Sequence, residues 1–247
     1  MTDAVVQRRL AALAHVHGLD GAALWKLAAL IDAVANDDEA PTPIREPARA
    51  VDVHVADSLS ALEIAAVLHA RRVADIGAGP GFPGLALAAA LPHARVAAVE
   101  SVGRKAAFLR RAAAAAGLDN VTVVDQRVEL WEAGREHCDL VTARALAPLA
   151  VVVEYASPLL IEGGWLVAWK GRRDAEEDAA GEAAAERVGL AQGEVWRVNP
   201  FPGAGERHLH TFTKVAPTPA GFPRRPGMAR KRPLAGPRSA APVSPGA

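Results

Sequence analysis

The chain has 247 residues, 51% of them apolar, and its 28 basic and 28 acidic residues leave no net charge. This length suits one complete α/β domain with extensions. No uninterrupted apolar run is long enough to span a membrane, and the N-terminus lacks the charged-then-apolar layout of a signal peptide. Cys138, the single cysteine, excludes an internal disulfide. We therefore expect a cytoplasmic protein with no membrane partner and no metal site.

The first 70 residues predict a helical N-terminal extension. Apolar residues recur there at roughly helical spacing, as in Leu24, Leu27 and Ile31. Prolines between residues 41 and 47 interrupt this pattern, and a further helix is predicted at 51–68.

From residue 71 to residue 216 the pattern alternates between strands and helices. We predict helices at 84–91, 103–116, 147–159 and 174–187. We predict strands at 73–76, 95–99, 121–124, 139–143, 165–169, 195–197 and 208–215. This alternation predicts an α/β domain with a mostly parallel sheet of seven strands and helices on both faces.

The segment 73–84 is a short apolar strand that breaks into a glycine turn and opens a helix. Gly77, Gly79 and Gly81 have no Cβ, so the backbone can turn sharply and lie against a bound ligand. Glu100 ends the next strand, 19 residues beyond Gly81. Nucleotide-binding βαβ units use an acidic residue at this distance to hold ribose hydroxyls.

Two cofactors compete for this turn. Read from Gly79, the segment matches the dinucleotide fingerprint G-x-G-x-x-G. Read from Asp75, it resembles motif I of the Rossmann-like S-adenosylmethionine-dependent methyltransferases. We favour the second, because Pro80 and Pro83 remove two backbone donors that a pyrophosphate needs. The charge of Asp75 also suits a cationic sulfonium better than a pyrophosphate.

Further candidate residues follow the other strands. Val128 and Glu129 come after the third strand, where Val128 would pack on an adenine ring and Glu129 would accept its amino hydrogens. Arg144 ends the fourth strand, at the edge where open α/β sheets bind ligands. We expect it to pair with a ligand carboxylate or an RNA phosphate, with a salt bridge to a neighbouring acid as the alternative. With Arg144, the candidates for positioning residues are His54 and Asp57, which share one helix face. A surface hydrogen-bond cluster is the alternative for His54 and Asp57.

Residues 217–247 read as a basic, proline-rich tail. Eight of the 28 basic residues follow Glu206 and none of the acidic residues does, which suggests a polyanion partner. Eight prolines from Pro217 onward predict a disordered segment without packed elements. A solvated tail with no partner is the alternative. The candidate RNA-binding residues are Lys170, Arg207, His208, Arg224, Arg225, Arg230, Lys231 and Arg232.

Taken together, these segments resemble the bacterial 16S rRNA guanine-N7 methyltransferase G family, formerly called glucose-inhibited division protein B. The matching segments are 54–59, 75–84, 105–110, 127–129, 143–145, 170–171, 206–209, 223–227 and 231–234. The resemblance spans roughly residues 42–234. One departure is Ala40-Pro41-Thr42, where the family usually has Asn-Leu-Thr.

The resemblance implies a class I methyltransferase fold that transfers a methyl group from S-adenosylmethionine to N7 of a specific guanosine in 16S rRNA. It implies cofactor contacts at Gly77, Phe82, Val128, Glu129 and Arg144. We expect a monomer that acts on 16S rRNA or the 30S subunit. The alternatives are a small-molecule methyltransferase, a nicotinamide-dependent enzyme, or a non-catalytic RNA-binding protein of the ribosome.

Overall fold

The computed structural model describes residues 4–234. Its N-terminal extension contains α1 (Ala4–His17), α2 (Gly21–Asn36) and α3 (Pro47–Ala50). Asp20 caps α2 by accepting a hydrogen bond from the Ala23 amide at 2.8 Å, which satisfies one of the free amides of the first turn.

The continuous helix predicted at 51–68 is wrong. The chain instead passes through a π-helical turn (Val51–Ala56), α4 (Asp57–Leu59), a 3₁₀ turn (Ser60–Glu63) and α5 (Ala65–Leu68). Ser58 and Ser60 donate their hydroxyls back to the carbonyls of His54 and Asp57. Such bonds compete with a regular helix ladder, and π-helical turns are frequent at functional sites.

The strands of residues 4–234 form one sheet of seven. They are β1 (Arg72–Ile76), β2 (Arg95–Glu100), β3 (Val121–Asp125), β4 (Cys138–Arg144), β5 (Leu160–Lys170), β6 (Leu190–Val198) and β7 (Arg207–Lys214). The spatial order is β3-β2-β1-β4-β5-β7-β6, and β7 runs antiparallel to both its neighbours. The predicted fold class, a mostly parallel seven-stranded sheet in an α/β domain, is confirmed.

Helices cover both faces of the sheet. One face packs against α6 (Gly84–Ala90), α7 (Gly103–Ala115) and the N-terminal extension, with Phe108 and Leu27 fully buried between them. The other face packs against α8 (Leu149–Ala156) and α9 (Ala175–Arg187). The extension is therefore part of the same core, and it brings the turn at Val51–Ala56 to the carboxyl edge of the sheet.

The prediction of an unpacked segment beyond residue 217 is wrong for residues 217–234. This part of the chain contains α10 (Met228–Lys231), and Ala229 and Leu234 are buried against the core beside α8. Local composition carries no information about these distant contacts, which is why the prolines were misleading. The remainder of the tail, 235–247, lies outside the described residues.

Candidate functional site

The loop after β1 turns through three glycines with positive φ, namely 70° at Gly77, 53° at Gly79 and 96° at Gly81. A Cβ at Gly77 would lie 2.5 Å from Cδ1 of Leu146, and one at Gly81 would lie 2.5 Å from Cδ1 of Leu85. Both the backbone conformation and the close approach therefore require glycine here.

Asp75 lies beneath this turn and is 1% exposed. Its Oδ2 accepts from the Gly84 amide at 2.9 Å, at the start of α6, and its Oδ1 accepts from Oγ1 of Thr142 at 2.9 Å. Burial raises the pKa of Asp75 to about 6, although the two hydrogen bonds oppose this rise. In the structure Asp75 supports the turn from below, and Thr142 is a partner that sequence reasoning missed.

Glu100 is also tied to the turn. Its Oε2 accepts from the Gly79 amide at 3.1 Å, and its Oε1 accepts from the Val102 amide at 2.9 Å. The side chain is 6% exposed. Glu100 therefore fixes the loop at the end of β2, and each oxygen keeps a second lone pair for another donor.

Two cavities open at the carboxyl edge of the sheet. The first has a volume of about 290 Å³ and is lined by Gly77, Val99, Ser101, Gln126, Arg127, Val128, Glu129, Leu146, Tyr155 and Arg230. It contains the predicted residues Gly77, Val128 and Glu129, which the fold brings together from the ends of β1 and β3. Leu146, Tyr155 and Arg230 are additional wall residues.

The second cavity has a volume of about 400 Å³ and adjoins the first at Gly77. Its walls are Val53, His54, Asp57, Gly77, Ala78, Pro80, Phe82, Arg144, Ala145, Trp169, Lys170, Gly171 and Arg207. Aromatic and cationic side chains thus meet here, from the N-terminal extension, the glycine turn and the ends of β4, β5 and β7. His54, Asp57, Phe82 and Arg144 were predicted.

Arg144 is the centre of a hydrogen-bond cluster. Its Nη1 donates to the Val53 carbonyl and to Oδ2 of Asp57, both at 2.8 Å, and its Nη2 lies 3.3 Å from Nδ1 of His54. The guanidinium is 15% exposed and Asp57 is 8% exposed, so this is a largely buried ion pair. The structure therefore gives Arg144 the internal salt bridge that the sequence left open as an alternative.

His54 stacks on Phe82, with 4.8 Å between ring centroids and 11° between ring planes. Burial, assisted by the charge of Arg144, lowers the pKa of His54 to about 4, so the imidazole is neutral at pH 7. Its Nδ1 then accepts from Arg144, which leaves the proton on Nε2, 3.2 Å from Oγ1 of Thr42. Thr42 is thus the part of the altered N-terminal loop that reaches the site.

Asp57 has one engaged and one open carboxylate oxygen. Its Oδ1 is buried without a hydrogen-bond partner among residues 4–234, and Nε of Arg207 lies 3.7 Å away. Nε1 of Trp169 donates to the Asp57 carbonyl at 2.8 Å. These contacts fix α4 to the ends of β5 and β7.

Several predicted RNA-binding residues already have protein partners. Lys170 donates to Oε1 of Glu177 at 2.5 Å and to the Ala147 carbonyl at 2.9 Å. His208 is 9% exposed, and its Nδ1 lies 2.8 Å from the Gly171 carbonyl.

In the C-terminal part of the described chain, Arg224 pairs with Glu154 and Arg230 donates to the Leu146 carbonyl at 2.9 Å. Arg230 is exposed, as are Arg225, Lys231 and Arg232, but Arg230 keeps this contact with the Leu146 backbone. The basic residues of this segment thus divide into those turned toward the domain and those turned toward solvent.

The residues that sequence reasoning missed differ in whether a local signal could have revealed them. Thr142 lies on β4 opposite Asp75 on β1. Aligning these two predicted strands could therefore have identified Thr142 as a partner of Asp75. Tyr155 lies in α8, in which every residue is buried, so no local signal separates it from the core.

Within residues 4–234, no group of three or more His, Cys, Asp or Glu side chains is placed to hold a metal ion. No helix in that range is long and apolar enough to cross a membrane.

The strand order, the glycine turn and the cavities at the carboxyl edge define a Rossmann-like methyltransferase domain. A predicted O-methyltransferase of Agrobacterium tumefaciens is similar, with 28% identity and a TM-score of 0.50 over 66% of this chain and 80% of that one. A precorrin-6y C5,15-methyltransferase of Geobacter metallireducens shares the fold, with 19% identity and a TM-score of 0.51 over 73% of this chain and 96% of that one.

Residues 24–209 match the family of the rRNA small subunit methyltransferase G. Ribosomal RNA small subunit methyltransferase G of Rubrobacter xylanophilus is 43% identical over 78% of this chain and 76% of its own length. The protein of the same name in Chloroflexus aggregans is 42% identical over 81% of this chain and 84% of its own. The chain belongs to the rRNA small subunit methyltransferase G family.

Proposed function

We propose that this enzyme transfers a methyl group from S-adenosylmethionine to N7 of a specific guanosine in 16S rRNA. The observation that carries the proposal is the pair of cavities that meet at Gly77. One has the walls of a nucleoside site and the other has walls that suit a stacked base. Membership of a family of small-subunit rRNA methyltransferases supports the choice of substrate.

The first cavity fits the adenosine part of the cofactor. Gly77 and Leu146 both line this cavity, and a Cβ at Gly77 would clash with the Leu146 side chain. Because Gly77 has no side chain, its backbone can lie directly against the ligand. Val128 packs against the adenine, and Glu129 accepts its amino hydrogens. Glu100 holds the turn and offers its remaining lone pairs to the ribose hydroxyls. When bound, S-adenosylmethionine supplies the electrophilic methyl group.

The second cavity fits the target base beside the methionine part of the cofactor, which we expect Phe82 and Arg144 to contact. Guanine N7 is a hydrogen-bond acceptor that carries no proton, so its methylation needs no general base. A neutral His54 and a carboxylate of Asp57 engaged by Arg144 suit a site whose task is orientation. Holding the reacting atoms in line can contribute on the order of 7–11 kcal/mol to lowering the barrier. His54, Asp57 and Arg144 act as positioning residues in this scheme.

The RNA phosphates are contacted by the exposed Arg225, Lys231 and Arg232 and by the half-buried Arg207. Arg230 is exposed as well, but its Nη2 is held by the Leu146 carbonyl. We leave Lys170, His208 and Arg224 out of this surface because their polar atoms already bind protein partners. The acting unit is a monomer in the cytoplasm, and its substrate is 16S rRNA or the 30S subunit.

The test is incubation of unmodified 16S rRNA and of unmodified 30S particles with methyl-labelled S-adenosylmethionine. Borohydride reduction and aniline then cleave the strand at N7-methylguanosine. We expect label in the RNA and one new cleavage site. Label without cleavage would refute the N7 assignment, and RNA binding without label would favour a non-catalytic protein. Methylation of a metabolite but not of RNA would favour the small-molecule alternative.

A matched pair of variants connects this activity to the glycine turn. Gly77→Ala puts a Cβ where Leu146 and the ligand lie, at a position with φ of 70°, so cofactor affinity and labelling should both fall sharply. Gly103→Ala is the control, since a Cβ there meets no atom within 4 Å. Equal labelling by the two variants would argue against the proposed cofactor site.

A further inference from the structure

The segment 222–234, here called the strap, returns from β7 across α8 to the first cavity. The sequence suggested only a basic tail for RNA. Its contacts in the structure point to a second task at the cofactor site, and this inference rests on the proposed function.

The strap is anchored by a buried ion pair. Nε of Arg224 donates to Oε1 of Glu154 at 2.7 Å, and its Nη2 donates to Oε2 at 2.5 Å. Glu154 lies in α8 and is 1% exposed. Nη2 also donates to the Arg232 carbonyl at 2.9 Å, which closes the strap on itself. A bidentate pair of this kind fixes geometry as well as charge.

Apolar burial adds to this anchor. Ala229 is 2% exposed and Leu234 is 4% exposed, and both belong to the core cluster that contains the α8 residues. The strap is therefore packed against the domain on both sides of Arg230.

Between these anchors the strap contacts two walls of the first cavity. The Gly227 amide donates to Oε1 of Glu129 at 2.8 Å. Nη2 of Arg230 donates to the Leu146 carbonyl at 2.9 Å, and Arg230 itself lines the cavity. Tyr155, another wall residue, lies close enough to both side chains for their charges to act on it: burial and the charge of Glu129 raise the pKa of Tyr155, and the charge of Arg230 opposes that rise.

We propose that the strap is a wall of the cofactor site, in which Arg230 contacts the adenosine part of S-adenosylmethionine and Gly227 positions Glu129. With Oε1 of Glu129 occupied by the Gly227 amide, Oε2 is left to accept the amino hydrogens of adenine. A planar guanidinium also packs well against a purine. Because the strap and the cofactor share these residues, each should stabilise the other.

The experiment uses the full chain and titrates S-adenosylhomocysteine by calorimetry without RNA. We expect Arg230→Ala to weaken binding about 5- to 30-fold and Arg225→Ala to change it less than twofold. Arg225 is the matched control because it is exposed on the same strap, as Arg230 is, but does not line the first cavity. RNA affinity is then measured against salt, where Arg225→Ala should lower the slope by about one and Arg230→Ala should leave it unchanged.

Hydrogen exchange supplies a second readout that a purely structural strap would not give. Amides of 224–232 should exchange more slowly when S-adenosylhomocysteine is added to the wild type, and less so in Arg230→Ala. If the wild type binds the ligand and the two variants bind it equally well, the inference is overturned and the proposed function stands. If the wild type does not bind it at all, the proposed function fails and the inference with it.

Discussion

Asp75→Asn is expected to change how the stability of the protein depends on pH. Asp75 accepts one hydrogen bond from the Gly84 amide and one from the Thr142 hydroxyl. Asparagine can keep both bonds, because its carbonyl accepts from the amide and its NH₂ donates to the hydroxyl oxygen. The substitution therefore removes the titration while keeping the size and the contacts of the side chain.

The magnitude follows from the pKa of about 6, raised by burial from an ordinary value of 3.8. The folded state binds this proton more tightly than the unfolded state, so the contribution of Asp75 to the free energy of unfolding is highest at low pH and falls as pH rises from 3.8 to 6. The full effect is about 3 kcal/mol. Roughly 1.4 kcal/mol of it is lost between pH 5 and pH 7.5.

The assay is urea unfolding of wild type and variant at pH 5 and pH 7.5. The wild type should lose about 1.4 kcal/mol more than Asp75→Asn over this interval, because all other titrating groups cancel in the comparison. Thr142→Val should steepen the dependence, since the lost hydroxyl normally lowers the pKa of Asp75. Identical pH dependence in wild type and Asp75→Asn would refute the assignment of a protonated, buried carboxyl at pH 5.

Three further predictions concern the site and the strap. Glu100→Ala should weaken binding of S-adenosylhomocysteine at least tenfold and change RNA affinity less than twofold, because the glycine turn loses its hydrogen bond at Gly79 and the loop after β2 loses its bond at Val102. Calorimetry showing equal cofactor affinity would contradict the ribose assignment. His54 should titrate near pH 4 in an NMR pH series, because burial and Arg144 disfavour its charged form. Since the pKa of His54 is lower in the folded state, the stability that neutral His54 contributes is lost only as pH falls from 6.5 toward 4. A midpoint above pH 6 would contradict the assignment of a buried, neutral imidazole. Arg224→Ala should lower the free energy of unfolding by about 3 kcal/mol in chemical denaturation, because it leaves Glu154 buried and unpaired. The control is Arg225→Ala at the exposed neighbouring residue, which should stay within about 0.5 kcal/mol of wild type.

Much of the fold was predictable because its signals are local. Short apolar strands separated by helices fix the alternation of elements, and the glycine turn marks where β1 ends. The strands β1 to β4 then meet at one edge, so Gly77, Val128 and Glu129 come together as expected. The sequence also predicted the closing antiparallel pair, although β6 is longer than expected and β7 is shifted by one residue.

The contacts of buried polar groups were not predictable in the same way. The residue type and position of Asp75 suggested a ligand contact, yet its partners are Gly84 and Thr142, the latter 67 residues away. Arg224 and Glu154 are 70 residues apart, and neither segment contains a sequence pattern that predicts this ion pair. Composition describes the local preferences of a segment, whereas the partners of these buried polar residues depend on how distant segments pack together.

The proposed chemistry gives a reason for this arrangement of polar groups. A nucleophile that carries no proton makes no use of an acid or base with a tuned pKa, so polar side chains are free to hold one another. Arg144 joins the π-helical turn, α4 and β4 through Val53, Asp57 and His54. Such a network rigidifies the cavity where the base must be aligned. Arg144→Lys should therefore lower kcat more than it raises the KM for RNA, because a lysine keeps the charge but cannot make all three contacts in one plane; equal changes in both constants would instead indicate a simple binding role.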